Sequence, residues 1–119
     1  MENVQVWFNG DIMPASEAQV GILSPSFQFG LNVFEGVRGY WDGNINQLYL
    51  FRLEDHLQRL SESCKLMRMQ CPYDVDQIRG GFKEISAANK IEEDTIFRLT
   101  IFMEGQGSWF SKNPTGMFI

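Results

Sequence analysis

The sequence has too few cysteines for a disulfide framework or a zinc site: Cys64 and Cys71 are the only two. They read as buried or half-buried thiols in a reducing compartment. No apolar run approaches the ~20 residues needed to span a bilayer. The opening, Met1-Glu2-Asn3-Val4-Gln5, lacks the basic and apolar regions of a signal peptide. A cytoplasmic protein is the expectation. There is no run of like charge, and the net charge is −5. Nothing in that balance points to a nucleic-acid or anionic-membrane partner. Internal repeats and low-complexity stretches are absent as well.

What is present is apolar and aromatic. Hydrophobic residues make up 44% of 119 positions, with ten Phe and three Trp. That is one domain's worth of chain, able to bury a workable core. The stretch Phe29-Gly30-Leu31-Asn32-Val33-Phe34-Glu35-Gly36-Val37-Arg38-Gly39-Tyr40 organises the rest. With period two, Phe34, Gly36, Arg38 and Tyr40 share one strand face, and Val33, Glu35 and Val37 the other. An arginine flanked by aromatics is unusual for a plain core. Gly36 and Gly39 leave room for close approach to the backbone. A pocket on the Phe34/Arg38 face is the functional reading; a half-buried strand with one snorkelling arginine is the structural one.

Elements follow in order. Val4 to Phe8, the Asn9-Gly10 turn and Asp11 to Met13 predict a hairpin. Pro14 to Gln19 reads as loop, and Gly21 to Ser26, with Pro25, as irregular. The central strand is expected over Asn32 to Tyr40, returning after Asp42-Gly43-Asn44 as Asn46 to Phe51. Leu53, Leu57, Leu60, Cys64 and Met67 recur at spacings of 4, 3, 4 and 3, predicting a helix from Leu53 to about Met69. His56, the only histidine, lies with Arg59 and Ser63 on one flank of that stripe, able to face a cleft. A boundary histidine with one structural hydrogen bond, and a surface arginine, are the simpler readings of the first two.

Asp74 reads as the N-cap of a second amphipathic helix through Val75, Ile78, Phe82 and Ile85 to about Asn89. Gly80-Gly81 inside it costs ~1 kcal/mol each relative to alanine, and close packing on a neighbour is one explanation. Thr95 to Glu104 is the last clear strand. Phe97, Leu99, Ile101 and Met103 form its core face; Ile96, Arg98, Thr100 and Phe102 the other. Arg98 reads either as a solvated edge charge or as a second arginine of a site. Residues 105–119 are expected as loop or linker, with Trp109 and Phe110 exposed, and the apolar ending Gly116-Met117-Phe118-Ile119 resembles the beginning of another strand.

Several of these pieces carry a resemblance together. Phe34-Glu35-Gly36-Val37-Arg38-Gly39-Tyr40, then Leu50-Phe51-Arg52-Leu53, then His56-Leu57-Gln58-Arg59-Leu60-x-x-Ser63 resemble the N-terminal part of the class IV, fold-type IV pyridoxal-phosphate aminotransferases. The Phe-Glu-Gly-Val-Arg run is most similar to the branched-chain amino-acid aminotransferases. Val6-Trp7-Phe8-Asn9-Gly10-Asp11-Ile12-Met13-Pro14 is similar to the family's first hairpin. The resemblance runs from about Gln5 to Glu104.

It implies an α+β fold: an antiparallel sheet of about four to six strands with two helices on one face. Residues 1–119 would be a single small N-terminal domain. The implied reaction moves an amino group between an amino acid, of branched-chain type, and a 2-oxo acid on pyridoxal 5'-phosphate. Arg59 matches the family's phosphate-contacting arginine. Phe29, Phe34, Gly36 and Arg38 match the wall of the substrate pocket, and Arg98 the arginine for the distal carboxylate of glutamate or 2-oxoglutarate.

Two positions depart from the pattern. Phe29 and Ile96 stand where branched-chain enzymes usually carry tyrosines, which makes the pocket more apolar. The family's cofactor-bonding lysine has no match among Lys65, Lys83, Lys90 and Lys112, which read as surface ammonium groups. It belongs to a C-terminal domain, so this chain alone is expected to be inactive and to bind the cofactor weakly or not at all. The partners implied are that domain, a second copy in a homodimer (with Trp109 and Phe110 at an interdomain or dimer contact) and the small-molecule substrates. Two other readings are an aminodeoxychorismate lyase-like enzyme of the same fold, disfavoured by Glu-Gly-x-Arg after Phe34, and a non-catalytic stand-alone binding domain, disfavoured by the apolar ending.

Overall fold

The computed structural model of the chain describes residues 3–108 and 112–119. Its backbone forms β1 (Gln5–Phe8), β2 (Asp11–Pro14), α1 (Pro25–Phe29), β3 (Asn32–Asp42), β4 (Gln47–Leu50), α2 (Leu53–Met67), α3 (Val75–Ala88), β5 (Thr95–Met103) and β6 (Thr115–Phe118). The strands make one sheet in the order β2-β1-β6-β5-β3-β4, and every pairing is antiparallel. β3 and β5 form the long central ladder, with Val33 opposite Ile101, Glu35 opposite Leu99 and Val37 opposite Phe97.

The core lies between the sheet and the two long helices. Trp7, Val33, Val37, Phe97, Leu99, Ile101 and Met117 from the sheet meet Leu57, Leu60, Cys64, Ile78, Phe82 and Ile85 from α2 and α3. Phe82 stands edge-on to Phe97 at 5.4 Å between ring centroids, a favoured aromatic geometry. The predicted stripe of α2 is therefore the packed one, although its last member, Met67, is exposed and Met69 is buried instead. α3 begins with a full capping box: the Asp74 side chain accepts from the Gln77 N–H at 2.8 Å, and the Gln77 side chain accepts from the Asp74 N–H at 2.9 Å.

The glycine pair in α3 separates into two cases. A Cβ on Gly81 would lie 3.0 Å from Ile119 and 3.1 Å from Trp7, so close packing requires glycine there. A Cβ on Gly80 would meet nothing within 4 Å.

Two expectations need correction. The stretch expected to be irregular contains α1, a third and very short helix. Ser24 caps it, accepting from the Phe27 N–H at 3.3 Å. Pro25 supplies its first turn, and Gly30 ends it in the left-handed region at φ 69°. The sequence contains all three signals, but a five-residue helix has no room for an apolar period. Residues 105–119 are not loop or linker throughout: the apolar ending, read as the beginning of a strand, is one, and 115–118 form β6 in the interior of the sheet. Trp109 and Phe110 lie outside the described residues.

β6 is shorter than its neighbour β5. Trp7 and Ile119 exchange both backbone hydrogen bonds, at 3.0 and 2.8 Å. Past that pair, no described strand lies between Val4–Val6 and Thr95–Arg98, and the gap forms a depression of about 790 Å³. Asn89 covers part of its β1 side. Its Oδ1 accepts from the Gln5 N–H and its Nδ2 donates to the Gln5 carbonyl, each at 2.9 Å. This is a gap between strands, closed in part by a side-chain amide imitating backbone.

Candidate functional site

β3 carries different chemistry on its two faces. Residues Val33, Glu35, Val37 and Gly39 are buried under α2, while Phe34, Gly36, Arg38 and Tyr40 are exposed on the opposite face. The alternation is the one predicted by period two. The faces are held that way because Val33 and Val37 pack into the core, and a one-residue slip would bury Arg38.

The open face gathers four of the expected residues. Gly36 lies directly opposite Arg98, Phe34 opposite Thr100, and Arg38 opposite Ile96. The Arg98 guanidinium carbon sits 3.6 Å over the Phe34 ring centroid, a cation–π contact. Its Nε donates to Thr100 Oγ1 at 3.3 Å. β3 pairs β5 at Arg98, but on the other side β6 reaches only as far as Thr100, so Arg98 lies on a locally open edge beside the gap. A Cβ on Gly36 would meet open space. Tyr40 continues the aromatic surface, edge-on to Phe51 at 6.0 Å. Phe29 sits apart, exposed on the last turn of α1 just before β3.

Arg59 belongs to the other face. Glu35 is 3% exposed, and α2 brings two partners to its carboxylate. Arg59 Nε donates to Oε1 and Nη2 to Oε2, each at 2.7 Å. His56 Nδ1 lies 2.9 Å from Oε2. An ionised carboxylate only accepts, so His56 donates here and carries its proton on Nδ1. His56 and Arg59 converge because they are three residues apart on one helix flank. The Arg59 fork holds the Glu35 carboxyl below the usual carboxylate range; burial works against this and the His56 hydrogen bond adds to it. The same fork raises the Arg59 pKa. The Arg59 side chain is nonetheless 66% exposed.

Ser63, the third residue of that flank, does not join the cluster. It lines a shallow depression of about 310 Å³ with Asn32, Val33, Phe34, Leu66 and Met67. Lys65, Lys83, Lys90 and Lys112 are all exposed. Among the described residues no group of three or more His, Cys, Asp or Glu could hold a metal ion, and no helix is long and apolar enough to cross a membrane.

Sequence reasoning gives Glu35 no part. A usable signal exists: an acidic residue alternating with two valines on a buried strand face needs a cation, and Arg59 on α2 is the available one.

The amino-transferase class IV family model matches residues 32–118. The chain belongs to the class IV aminotransferases. Among curated relatives of this class IV chain, a probable branched-chain-amino-acid aminotransferase of Aquifex aeolicus is 34% identical over 92 residues, covering 77% of this chain and 30% of the relative. The branched-chain-amino-acid aminotransferase of Pseudomonas aeruginosa is 31% identical over 103 residues, covering 86% of this chain and 33% of the relative.

Solved structures agree on the fold. The branched-chain aminotransferase of Thermoproteus uzoniensis, crystallised with norvaline, superposes with a TM-score of 0.87 at 33% identity, covering 97% of this chain and 39% of that one. The T.th. branched-chain amino acid aminotransferase complexed with N-(5'-phosphopyridoxyl)-L-glutamate gives 0.87 at 27% identity, covering 99% of this chain and 40% of that one. The chain thus spans about a third of the length of the curated relatives it matches. Its small antiparallel sheet with helices is that of the N-terminal domains of branched-chain aminotransferases.

Proposed function

We propose that these residues supply a cofactor-phosphate contact and part of the substrate wall of a pyridoxal-phosphate-dependent aminotransferase acting on branched-chain amino acids and 2-oxo acids. The observation that carries this reading is Arg59: its guanidinium is anchored on a buried carboxylate and yet faces solvent. That arrangement suits an exposed anion. A fixed guanidinium edge gives charge-assisted, two-point hydrogen bonds to phosphate oxygens.

The open face suits the other half of the task. Phe34, with Phe29 nearby in sequence, offers apolar surface to an aliphatic side chain. Gly36 keeps the centre of the face clear. Arg98, and Arg38 further along the strand, offer positive charge to a carboxylate. Phe29 and Ile96 in place of tyrosines remove hydroxyls from this wall, which favours aliphatic side chains over acidic ones. Pyridoxal phosphate, when bound, supplies the electron sink for amino-group transfer. The four exposed lysines do not supply the cofactor-bonding group, so that group comes from residues outside these 119, and the 119 residues alone are expected not to turn over. Supply from the chain's own C-terminal domain, assembly as a homodimer and a cytoplasmic location complete the reading.

The test is cofactor retention by the native protein and by its Arg59→Ala variant. Loss of a charge-assisted hydrogen-bond pair is expected to raise the dissociation constant for pyridoxal phosphate by on the order of tenfold or more. Unchanged retention with the fold intact would remove Arg59 from the site. Release of pyruvate from aminodeoxychorismate, without amino transfer, would assign the lyase chemistry instead.

A further inference from the structure

We infer that Glu35 is the positioning residue of the phosphate contact: it fixes the Arg59 guanidinium through one edge so that the opposite edge is presented to the phosphate. The inference rests on the reading of Arg59 as the phosphate-binding residue and adds a role for a residue that itself touches no ligand.

The geometry of the fork decides which edge is free. A guanidinium has five N–H donors in one plane. Nε and Nη2 each place one hydrogen on Glu35, at 2.7 Å. Three hydrogens remain, two on Nη1 and one on Nη2, and they point away from the carboxylate. One from each nitrogen forms a second two-point edge, matched in spacing to two oxygens of a phosphate. Arg59 is an exposed side chain with considerable rotamer freedom of its own. Its anchor is rigid: Glu35 is on the central ladder strand, 3% exposed, between two core valines. His56, 20% exposed, holds Oε2 from the side. The carboxylate is thus fixed from two directions before any ligand arrives.

The pairing also changes what the phosphate meets. Glu35 neutralises the formal charge of Arg59, so the contact is a directed pair of donors rather than an unpaired cation. Selectivity for a planar pair of oxygens follows, and a lysine at 59 would reproduce neither edge.

The test compares affinities for pyridoxal phosphate and for pyridoxal, whose ratio isolates the phosphate. It uses the native protein, Glu35→Gln, Arg59→Ala and the double variant, with thermal unfolding as the folding control. Glu35→Gln keeps the shape and loses the charge. It is expected to lower the ratio by roughly tenfold although Arg59 is still present, and to cost nothing further in the Arg59→Ala background. A normal ratio in Glu35→Gln, with Arg59→Ala low, overturns the role of Glu35 alone. A normal ratio in Arg59→Ala overturns the underlying phosphate reading.

A second measurement needs no variant at position 35. In arginine-¹⁵N spectra of the native apoprotein, assigned with Arg59→Lys, inorganic phosphate is expected to move the Arg59 Nη signals and leave Nε in place. Movement of Nε as large as that of Nη means that the fork leaves Glu35, and overturns the inference.

Discussion

Gly36 faces Arg98 across the β3–β5 ladder, and the space above Gly36 is empty. Arg98 turns along the face and lies over Phe34. The centre of the sheet's open face is therefore kept clear by a residue that the fold itself does not require to be glycine.

That distinction gives the first expectation. Gly36→Ala adds a methyl to open space and is expected to change stability by no more than about 0.5 kcal/mol. Gly116→Ala places a Cβ 2.5 Å from Phe102 Cζ and 2.7 Å from Asn9 Oδ1. Phe102 is held between Phe8 and Phe118, and Asn9 Oδ1 accepts from the Met117 N–H. Overpacking there is expected to cost about 1–3 kcal/mol. Urea unfolding of both variants checks the contrast. Gly36→Leu, folded as well as Gly36→Ala, is expected to raise KM for every amino-acid substrate.

Arg98→Gln tests the carboxylate role. The guanidinium is on the open face, but its removal takes the Nε donor from the buried Thr100 hydroxyl, so thermal unfolding serves as the folding control. In the native protein KM for 2-oxoglutarate is expected to rise on the order of tenfold, the size of a lost hydrogen bond to a charged group. KM for leucine is expected to change far less. Equal changes for both substrates would assign Arg98 to the wall in general rather than to the distal carboxylate.

Glu35 makes the fold acid-sensitive in a defined direction. Its folded-state pKa lies below the ordinary value of 4.5 because of Arg59. A depressed carboxylate contributes its full stability above the ordinary value and loses it as pH falls through the folded-state value. The native protein is therefore expected to lose stability more steeply than Glu35→Gln as pH falls below the ordinary carboxylate value of 4.5. Parallel pH–stability curves would mean that the pair contributes nothing through ionisation.

The two thiols should differ in reactivity. The neighbouring Cys64 thiol holds the Cys71 pKa below the usual thiol value, while that neighbour and burial raise Cys64. Alkylation of the folded protein is expected at Cys71 first, with a rate midpoint below that of an ordinary thiol. Cys64→Ala removes the neighbouring thiol and is expected to move that midpoint up. Peptide mapping after a short iodoacetamide pulse reads both results.

The parts of the fold that were legible in the sequence are those with a repeating signal. The alternation from Val33 to Tyr40 assigned the faces of β3, and the stripe from Leu53 to Cys64 assigned the packed side of α2. β6 left only a hint in its apolar residues, because a four-residue strand carries too little period to place it between β1 and β5. For the site, Arg59, Arg98 and Phe34 were reached by resemblance, and the register then showed Arg98 and Phe34 in contact. Glu35 was hidden because its partners come from a different element, some twenty residues on. Pairings between elements are set by packing, which a single strand's pattern does not encode.

The most direct test is amino transfer by the native protein, purified with pyridoxal phosphate and given L-leucine and 2-oxoglutarate. Formation of glutamate and the leucine-derived 2-oxo acid in equal amounts, sharply reduced in Arg59→Ala at limiting cofactor, is the expected result. No transfer from any branched-chain amino acid by the folded, cofactor-loaded protein would contradict the proposed function.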